Sequence, residues 1–209
     1  MPDHLSLVSS AVIIALIPFV IVLMTSFTRI SIVLTFLRQA LSTSVPSTQI
    51  IIGLSLILTG YIMHPVITKI QHEAVEPYLK EEEKKPIVLV EKAWPPLREF
   101  MLFNTREKDL HLFLEMGKVE LSEKADISEI PWYCVIPAFV LSELRTAFLL
   151  GFLLFLPFLV IDMVVTSLLM SMGMVLLPPV MISFPFKILL FIVVDGWRLV
   201  VTQVVQGYN

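Results

Sequence analysis

The chain has 209 residues, of which 56% are hydrophobic and 16% are charged, and its formal net charge is −3. Together with a mean hydropathy of +0.86, this composition excludes an ordinary soluble domain and predicts a membrane protein. The acidic balance gives no support to nucleic-acid binding. The single cysteine, Cys134, excludes an intramolecular disulfide and a cysteine-based metal cluster.

Two apolar segments come first along the chain, from about Leu5 to Phe27 and from about Ile50 to Ile67. Each is close to the ~20 residues that cross a bilayer, so residues 1–67 are predicted to form a helical hairpin. The N-terminus is expected to stay as a helix, because it lacks the basic start of a signal peptide. The link between the segments carries Arg29 and Arg38 and no acid, which predicts a cytoplasmic position.

Residues 68–131 hold most of the charges and are predicted to form a small extracytoplasmic helical region. One helix is expected to begin at WPPLREFMLF, with Pro95 or Pro96 in its first turn. A second is expected in TREKDLHLFLEMG, with Thr105 as its N-cap and Gly117 as its stop. A region this small buries little core alone, which favours packing against other copies.

The third region, residues 132–209, is almost continuously apolar from Cys134 to Val205. This length predicts two long helices or three ordinary ones, with breaks near Asp162 and at Pro178 and Pro179.

Ionisable side chains lie within this apolar region, and charges at membrane depth normally face protein or water because lipid does not solvate them. They are Glu143, Arg145, Asp162, Lys187, Asp195 and Arg198. Glu143 and Lys187 are predicted to form an ion pair between subunits, with Asp162 as the alternative partner of Lys187. Asp195 and Arg198 either lie near headgroups or form a local pair, which their i,i+3 spacing allows.

The stretch SMGMVLLPPVMISFPFK, from Ser171 to Lys187, combines high hydropathy with helix breakers. These are Gly173, Pro178, Pro179 and Pro185. Backbone groups that lose helical hydrogen bonds at membrane depth need protein or a water-filled cavity around them, so the stretch is predicted to line a channel. The alternative is that Met170, Met172 and Met174 pack in an ordinary core.

Motifs for catalysis are absent from the sequence: it contains no Walker A loop, no HExxH, no GxSxG and no dinucleotide fingerprint. His64, His72 and Glu76 could share a helix face, but the histidines are scattered along the chain. We therefore predict no catalytic residue, no cofactor and no metal.

Four long stretches resemble the FliP/SctR family of type III protein export gates. They are TSFTRISIVLTFLRQAL from Thr25, IIGLSLILTGYIMHPVI from Ile51, SELRTAFLLGFLLFLPFLVIDMVV from Ser142 and PPVMISFPFKILLFIVVDGW from Pro178. The likeness covers nearly the whole chain except residues 73–128. The strings IDMVV and SMGM are more typical of flagellar members than of the SctR members of virulence systems.

The resemblance implies an all-helical membrane protein built of long, kinked hairpins. It implies that about five copies assemble with FliQ and FliR into a closed helical pore. The expected place is the bacterial inner membrane at the flagellar basal body, with FlhA, FlhB and FliO nearby and unfolded flagellar proteins as the substrates. Assembled members are thought to lie largely above the membrane plane, so the topology inferred from charge describes insertion.

The resemblance also implies a role for Met174, Val175 and Leu176, which occupy the position of a methionine-rich gasket in the family. Methionine adapts its shape to different contacts, which suits a seal that closes and then yields to an unfolded chain. Since only Met174 keeps the methionine, a stiffer seal is expected at the β-branched Val175.

Three other functions remain as alternatives. One is the equivalent SctR subunit of a virulence secretion system. Another is a small-solute or ion carrier that uses Asp162, Lys187 and Glu143 as a relay, although no internal repeat of the kind found in carriers is present. The last is a membrane-embedded hydrolase, for which no nucleophile and base stand at a recognisable spacing.

Overall fold

The computed structural model describes residues 18–80, 86–119, 129–174 and 176–208. All regular secondary structure in these ranges is helical. The helices are α1 (Phe27–Ala40), α2 (Thr48–Ile70), α3 (Glu76–Lys80), α4 (Pro86–Phe103), α5 (Glu107–Met116), α6 (Trp132–Ser171), α7 (Pro179–Val193) and α8 (Gly196–Gln206), and a π-helical segment, Gln71–Val75, joins α2 to α3. The all-helical prediction is confirmed for the part of the chain that is described.

Long apolar helices are the main feature of the fold. Among the described residues, two helices are long and apolar enough to cross a membrane, Thr48–Lys80 and Trp132–Ser171. The count rises to three if α7 and α8, which meet at a bend of 63°, form one broken span. The second predicted segment, Ile50 to Ile67, lies within α2 and is confirmed as a helix. Most of the first segment, from Leu5, lies outside the described residues.

Contacts divide the chain into two compact units. The first comprises Met1–Thr28 with Thr59–Glu143. Its core contains Met24, Met101, Val135 and Phe139, all buried, with Phe100 packed edge-on against Phe139 at 5.9 Å between ring centroids.

The second unit comprises Arg29–Leu58 with Leu144–Asn209. Helix α1 is amphipathic and buries one apolar face at i, i+3, i+4 and i+7 spacing. The buried apolar residues of this helix are Ile30, Val33, Leu34, Leu37 and Ala40, and Leu41 just after it is also buried. Gly151 of α6 packs so closely on α1 that an added Cβ would lie 2.6 Å from Cγ of Phe36. The chain end packs here too: Arg29 donates to the carbonyl of Gly207 at 2.9 Å and lies 3.8 Å from the ring centroid of Tyr208.

The helix starts predicted for the charged region are wrong, although both helices exist. Pro95 and Pro96 lie inside α4. Packing of Trp94 and Leu97 against the core of the first unit offsets the hydrogen bonds that these prolines remove. Thr105 does not cap α5, because its hydroxyl donates to the Met101 carbonyl at 2.6 Å and Arg106 stands at the N-cap.

The stop predicted for the second of these helices is confirmed, since Gly117 is the C-cap of α5. The boundaries at residues 67 and 131, which rest on hydropathy and charge, stay predictions, and so does an extracytoplasmic place for residues 68–131.

The C-terminal apolar region contains one of its two predicted breaks. Helix α6 continues without interruption through Asp162 for a total of 40 residues, so the break expected there is wrong. The carboxylate needs no break because it finds polar partners on α7. The break before Pro179 is confirmed, since α6 ends at Ser171 and α7 begins at Pro179.

The bend between α7 and α8 is tightly packed. Asp195 at the bend has a left-handed backbone with φ of 52°. A Cβ on Gly196 would lie 2.1 Å from the Phe191 ring, which packs edge-on against Trp197 at 5.5 Å between centroids. Any larger residue at this position would have to displace the Phe191 ring.

Candidate functional site

The loop between α6 and α7, residues 172–178 and called the tip loop below, begins with a helix-terminating hydrogen-bond pattern. The Met174 amide donates to the Leu169 carbonyl at 3.0 Å, and the Gly173 amide donates to the Met170 carbonyl at 3.1 Å. Gly173 has φ of +73°. This is a Schellman motif, in which glycine supplies the left-handed residue and carbonyls at the end of α6 receive donors.

Proline restarts the helix on the other side of the tip loop. Pro178 is the N-cap of α7 with an extended backbone, and Pro179 occupies the first helical position, where a missing N–H costs nothing. Of the four predicted helix breakers, Gly173 and Pro178 therefore act as caps, and Pro179 begins α7. Pro185 is different because it lies inside α7.

The tip loop exposes apolar side chains in the single chain. Leu176 is 98% exposed and Met174 is 39% exposed. Met170 and Met172 are also exposed, so the alternative in which these methionines pack in a core is wrong for this chain on its own. Val175, the third predicted gasket residue, lies outside the described residues. An exposed apolar cluster of this kind is typical of a surface that meets a partner.

A buried polar cluster lies further along the same two helices. The Lys187 ammonium is 1% exposed and donates to Asp162 Oδ2 at 2.6 Å and to Ser42 Oγ at 2.8 Å. Ser183 donates to the other Asp162 oxygen, Oδ1, at 2.6 Å. These four side chains, called the polar junction below, connect α6, α7 and the turn after α1. The buried ammonium is thus paired and hydrogen-bonded, as low-dielectric surroundings require.

Two members of the polar junction, Ser42 and Ser183, were missed in the sequence. No local pattern connects residue 42 with residue 187, because serine is common in turns and carries no charge. The backbone of Ser42 offers a structural signal: its φ is 55°, a left-handed value that is uncommon for any residue but glycine.

The predicted charged residues fall into two groups. Glu143 is fully buried, and it has an interaction within the chain. Lys187 has Asp162, its alternative partner, so neither residue is an isolated charge in the single chain. An ion pair between Glu143 and Lys187 of different copies stays a prediction.

The other charged residues, Arg145, Asp195 and Arg198, are exposed in the single chain. Within the described part of the chain, Asp195 and Arg198 do not form the local ion pair that their spacing allows. Burial of these side chains in an assembly stays a prediction.

An apolar groove of about 470 Å³ runs along α6 and α7 beside the tip loop. It exposes no polar surface, and the residues that line it are Val160, Ile161, Val164, Val165, Leu168, Leu169, Met172, Ile182 and Phe186. The described residues contain no cluster of three or more His, Cys, Asp or Glu that could hold a metal.

Comparison with known proteins identifies the family. A family model described as the FliP family matches residues 11–204. The chain belongs to the FliP family. The match includes the tip loop, the polar junction and both long apolar helices.

Three curated relatives that carry the name flagellar biosynthetic protein FliP are similar to this chain over most of its length. The Bacillus subtilis (strain 168) protein is 50% identical over 192 residues, which covers 91% of this chain and 86% of that protein. The Aquifex aeolicus (strain VF5) protein is 45% identical over 99% of this chain and 87% of its own. The Pectobacterium carotovorum subsp. carotovorum protein is 45% identical over 91% of this chain and 73% of its own.

Proposed function

We propose that this chain is a core, pore-forming subunit of the flagellar type III export gate in the bacterial inner membrane. Its role is to conduct unfolded flagellar proteins, without catalysis or a cofactor. Membership of the FliP family and the flagellar names of its relatives support the flagellar assignment over a virulence one. The helices that are apolar enough to cross a membrane support the membrane location.

The observation that carries the pore assignment is the tip loop. Its backbone is fixed at both ends by caps, while its apolar side chains are exposed in one chain. A ring of copies would bring these side chains together, and their apolar surfaces would exclude water from the closed channel. A passing chain would then open the seal without breaking a polar contact. We therefore propose Met174, Val175 and Leu176 as the gasket of the closed channel.

We further propose a homo-oligomer of about five copies, assembled with FliQ and FliR and next to FlhA, FlhB and FliO. The large apolar area exposed on α2 and α6 supports burial against lipid or partners. The ion pair between Glu143 and Lys187 of neighbouring copies is kept in this proposal. It requires both side chains, which are buried in the single chain, to become accessible to a neighbouring copy. The Lys187 ammonium, which has three donors, would then contact Glu143 in addition to Asp162.

A gene deletion separates this function from the alternatives. We expect the deletion strain to lose flagella and to retain flagellar export substrates in the cytoplasm, with both defects reversed by the wild-type gene. Intact flagella in that strain would contradict the proposed function. A carrier would instead show a transport defect with flagella present.

The gasket is tested separately. Replacing Met174, Val175 and Leu176 together with alanine should increase leakage of small solutes across the inner membrane while the complex still assembles and exports. The matched control replaces three exposed apolar residues of α6 that lie away from the loop, Leu149, Phe152 and Leu156, with alanine. An unchanged barrier in an assembled gasket variant would show that these residues do not form the seal.

A further inference from the structure

The polar junction lies at a defined distance from the tip loop. Asp162 stands between two and three helical turns before the end of α6, and Lys187 stands just over two turns after the start of α7. At 1.5 Å of rise per residue, the junction is about 12 to 14 Å from the loop along both helices.

The junction is the directional connection between these two helices near the loop. Over the described residues 163–174 and 176–186, the hydroxyls of α6 bond within their own helix: Thr166 donates to the Asp162 carbonyl, Ser167 to Met163 and Ser171 to Leu168. Ser183 alone in this stretch has a side-chain hydrogen bond that crosses from one helix to the other. The position of α7 along α6 is therefore specified by hydrogen bonds at the junction.

Apolar packing does not replace this constraint. The groove of about 470 Å³ lies along the same stretch of α6 and α7, so contact between the helices is incomplete there. Apolar contact is also non-directional, whereas hydrogen bonds to a charged group are short and restrict the angle between their partners. If α7 slid slightly along α6, the apolar contacts between the helices would change little, whereas the hydrogen bonds of the polar junction would be strongly distorted.

We propose that Ser42 and Ser183 are positioning residues that act through Lys187 and Asp162 to set the place of the tip loop. This inference rests on the proposed function, in which that loop is the seal. Ser183 fixes the orientation of the Asp162 carboxylate, since it binds the oxygen that Lys187 leaves open. Ser42 fixes the ammonium of Lys187 from the turn after α1.

The backbone of Ser42 supports a role for its hydroxyl. Glycine adopts φ of 55° without strain, so a turn that needed only this conformation would be served best by glycine. Serine at this place adds an acceptor for a cation that is 1% exposed. Ser42→Gly therefore separates the two roles, because it relaxes the backbone and removes the acceptor.

The experiment uses the full chain in flagellated cells. Ser183→Ala and Ser42→Gly are compared with Ser167→Ala, a serine of α6 whose hydroxyl bonds only within its helix. Native gels measure assembly, and uptake of a small solute measures leakage. We expect wild-type assembly in all three, with leakage raised about three- to tenfold in the first two, the factor that one net hydrogen bond contributes. Ser167→Ala should stay at the wild-type level.

Conservative variants test whether the hydroxyl is the cause. Ser183→Thr keeps a hydroxyl at the same position and should restore the barrier that Ser183→Ala loses. Leakage from the threonine variant equal to that of the alanine variant would overturn the proposal. Loss of assembly in Ser183→Ala or Ser42→Gly would overturn it as well, because the residues would then support the fold and not the seal.

The gasket variant described above runs in parallel. If the gasket variant leaks while the two junction variants remain as tight as Ser167→Ala, the positioning role is wrong and the seal stands. If none of them leaks, the proposed seal itself is wrong.

Discussion

The ion pair of the polar junction can be broken at Asp162 or at Lys187, and the two substitutions should destabilise the complex by different amounts. Asp162→Asn leaves the Lys187 ammonium with neutral partners but without its counter-ion on α6, at a position that is 1% exposed. Lys187→Met leaves the Asp162 carboxylate with Ser183 and with a side chain that is 28% exposed, so water partly solvates it. An unpaired buried charge costs about 3–5 kcal/mol, and we expect Asp162→Asn near the upper end and Lys187→Met below the lower end.

The double variant Asp162→Asn with Lys187→Met should be more stable than Asp162→Asn alone, since no charge is left without a partner. The assay is the temperature at which the assembled complex, extracted in mild detergent, loses its band on a native gel. Wild-type, both single variants and the double variant form a mutant cycle that yields the coupling between the two residues.

The same cycle made with Glu143→Gln tests the pair between copies. Coupling of Lys187 to Glu143 that exceeds its coupling to Asp162 would support a contact between copies as the main one. The reasoning from burial is refuted if Lys187→Met is more damaging than Asp162→Asn, or if the effects of Asp162→Asn and Lys187→Met simply add.

Three further predictions concern glycines and the chain end. Gly173→Ala should destabilise the complex by about 1–2 kcal/mol, because φ of +73° is unfavourable for alanine. Gly173→Asn should cost less, and the stability of the complex on native gels measures both effects. Gly151→Ala should reduce the amount of assembled protein, since its Cβ would lie 2.6 Å from the Phe36 ring of α1. Gly53→Ala, which has open space around it, should leave that amount unchanged, and immunoblots of membranes measure both. Tyr208→Phe should keep the contact with Arg29 and preserve motility on soft agar, whereas Tyr208→Ala should lose about 0.5–2 kcal/mol and reduce it; equal motility of the two would contradict the contact.

Local sequence patterns predicted those helices and helix ends that depend on neighbouring residues alone. The continuous apolar run of α2 predicted its helix, and the glycine and prolines of the tip loop predicted the end of α6 and the start of α7. Gly117 was found as a helix stop for the same reason.

Features that depend on distant partners were mispredicted or missed. Asp162 reads as a helix break in isolation, yet its partners on α7 let α6 pass through it. Pro95 and Pro96 are typical of a helix start, but they lie inside α4, because the residues around them pack against the core of the first unit. Ser42 has no property in the sequence that distinguishes it from other turn serines. Its role follows from a contact with Lys187, which lies far away along the chain.

The unbroken course of α6 through Asp162 has a consequence for how hydropathy translates into topology. A helix of 40 residues is about 60 Å long, twice the ~30 Å thickness of the hydrocarbon layer. Tilting alone does not absorb such an excess, because tilts of membrane helices average about 20°. If α6 crosses a bilayer, about half of its length lies outside the hydrocarbon layer, so its hydropathy measures burial against protein as much as insertion into lipid.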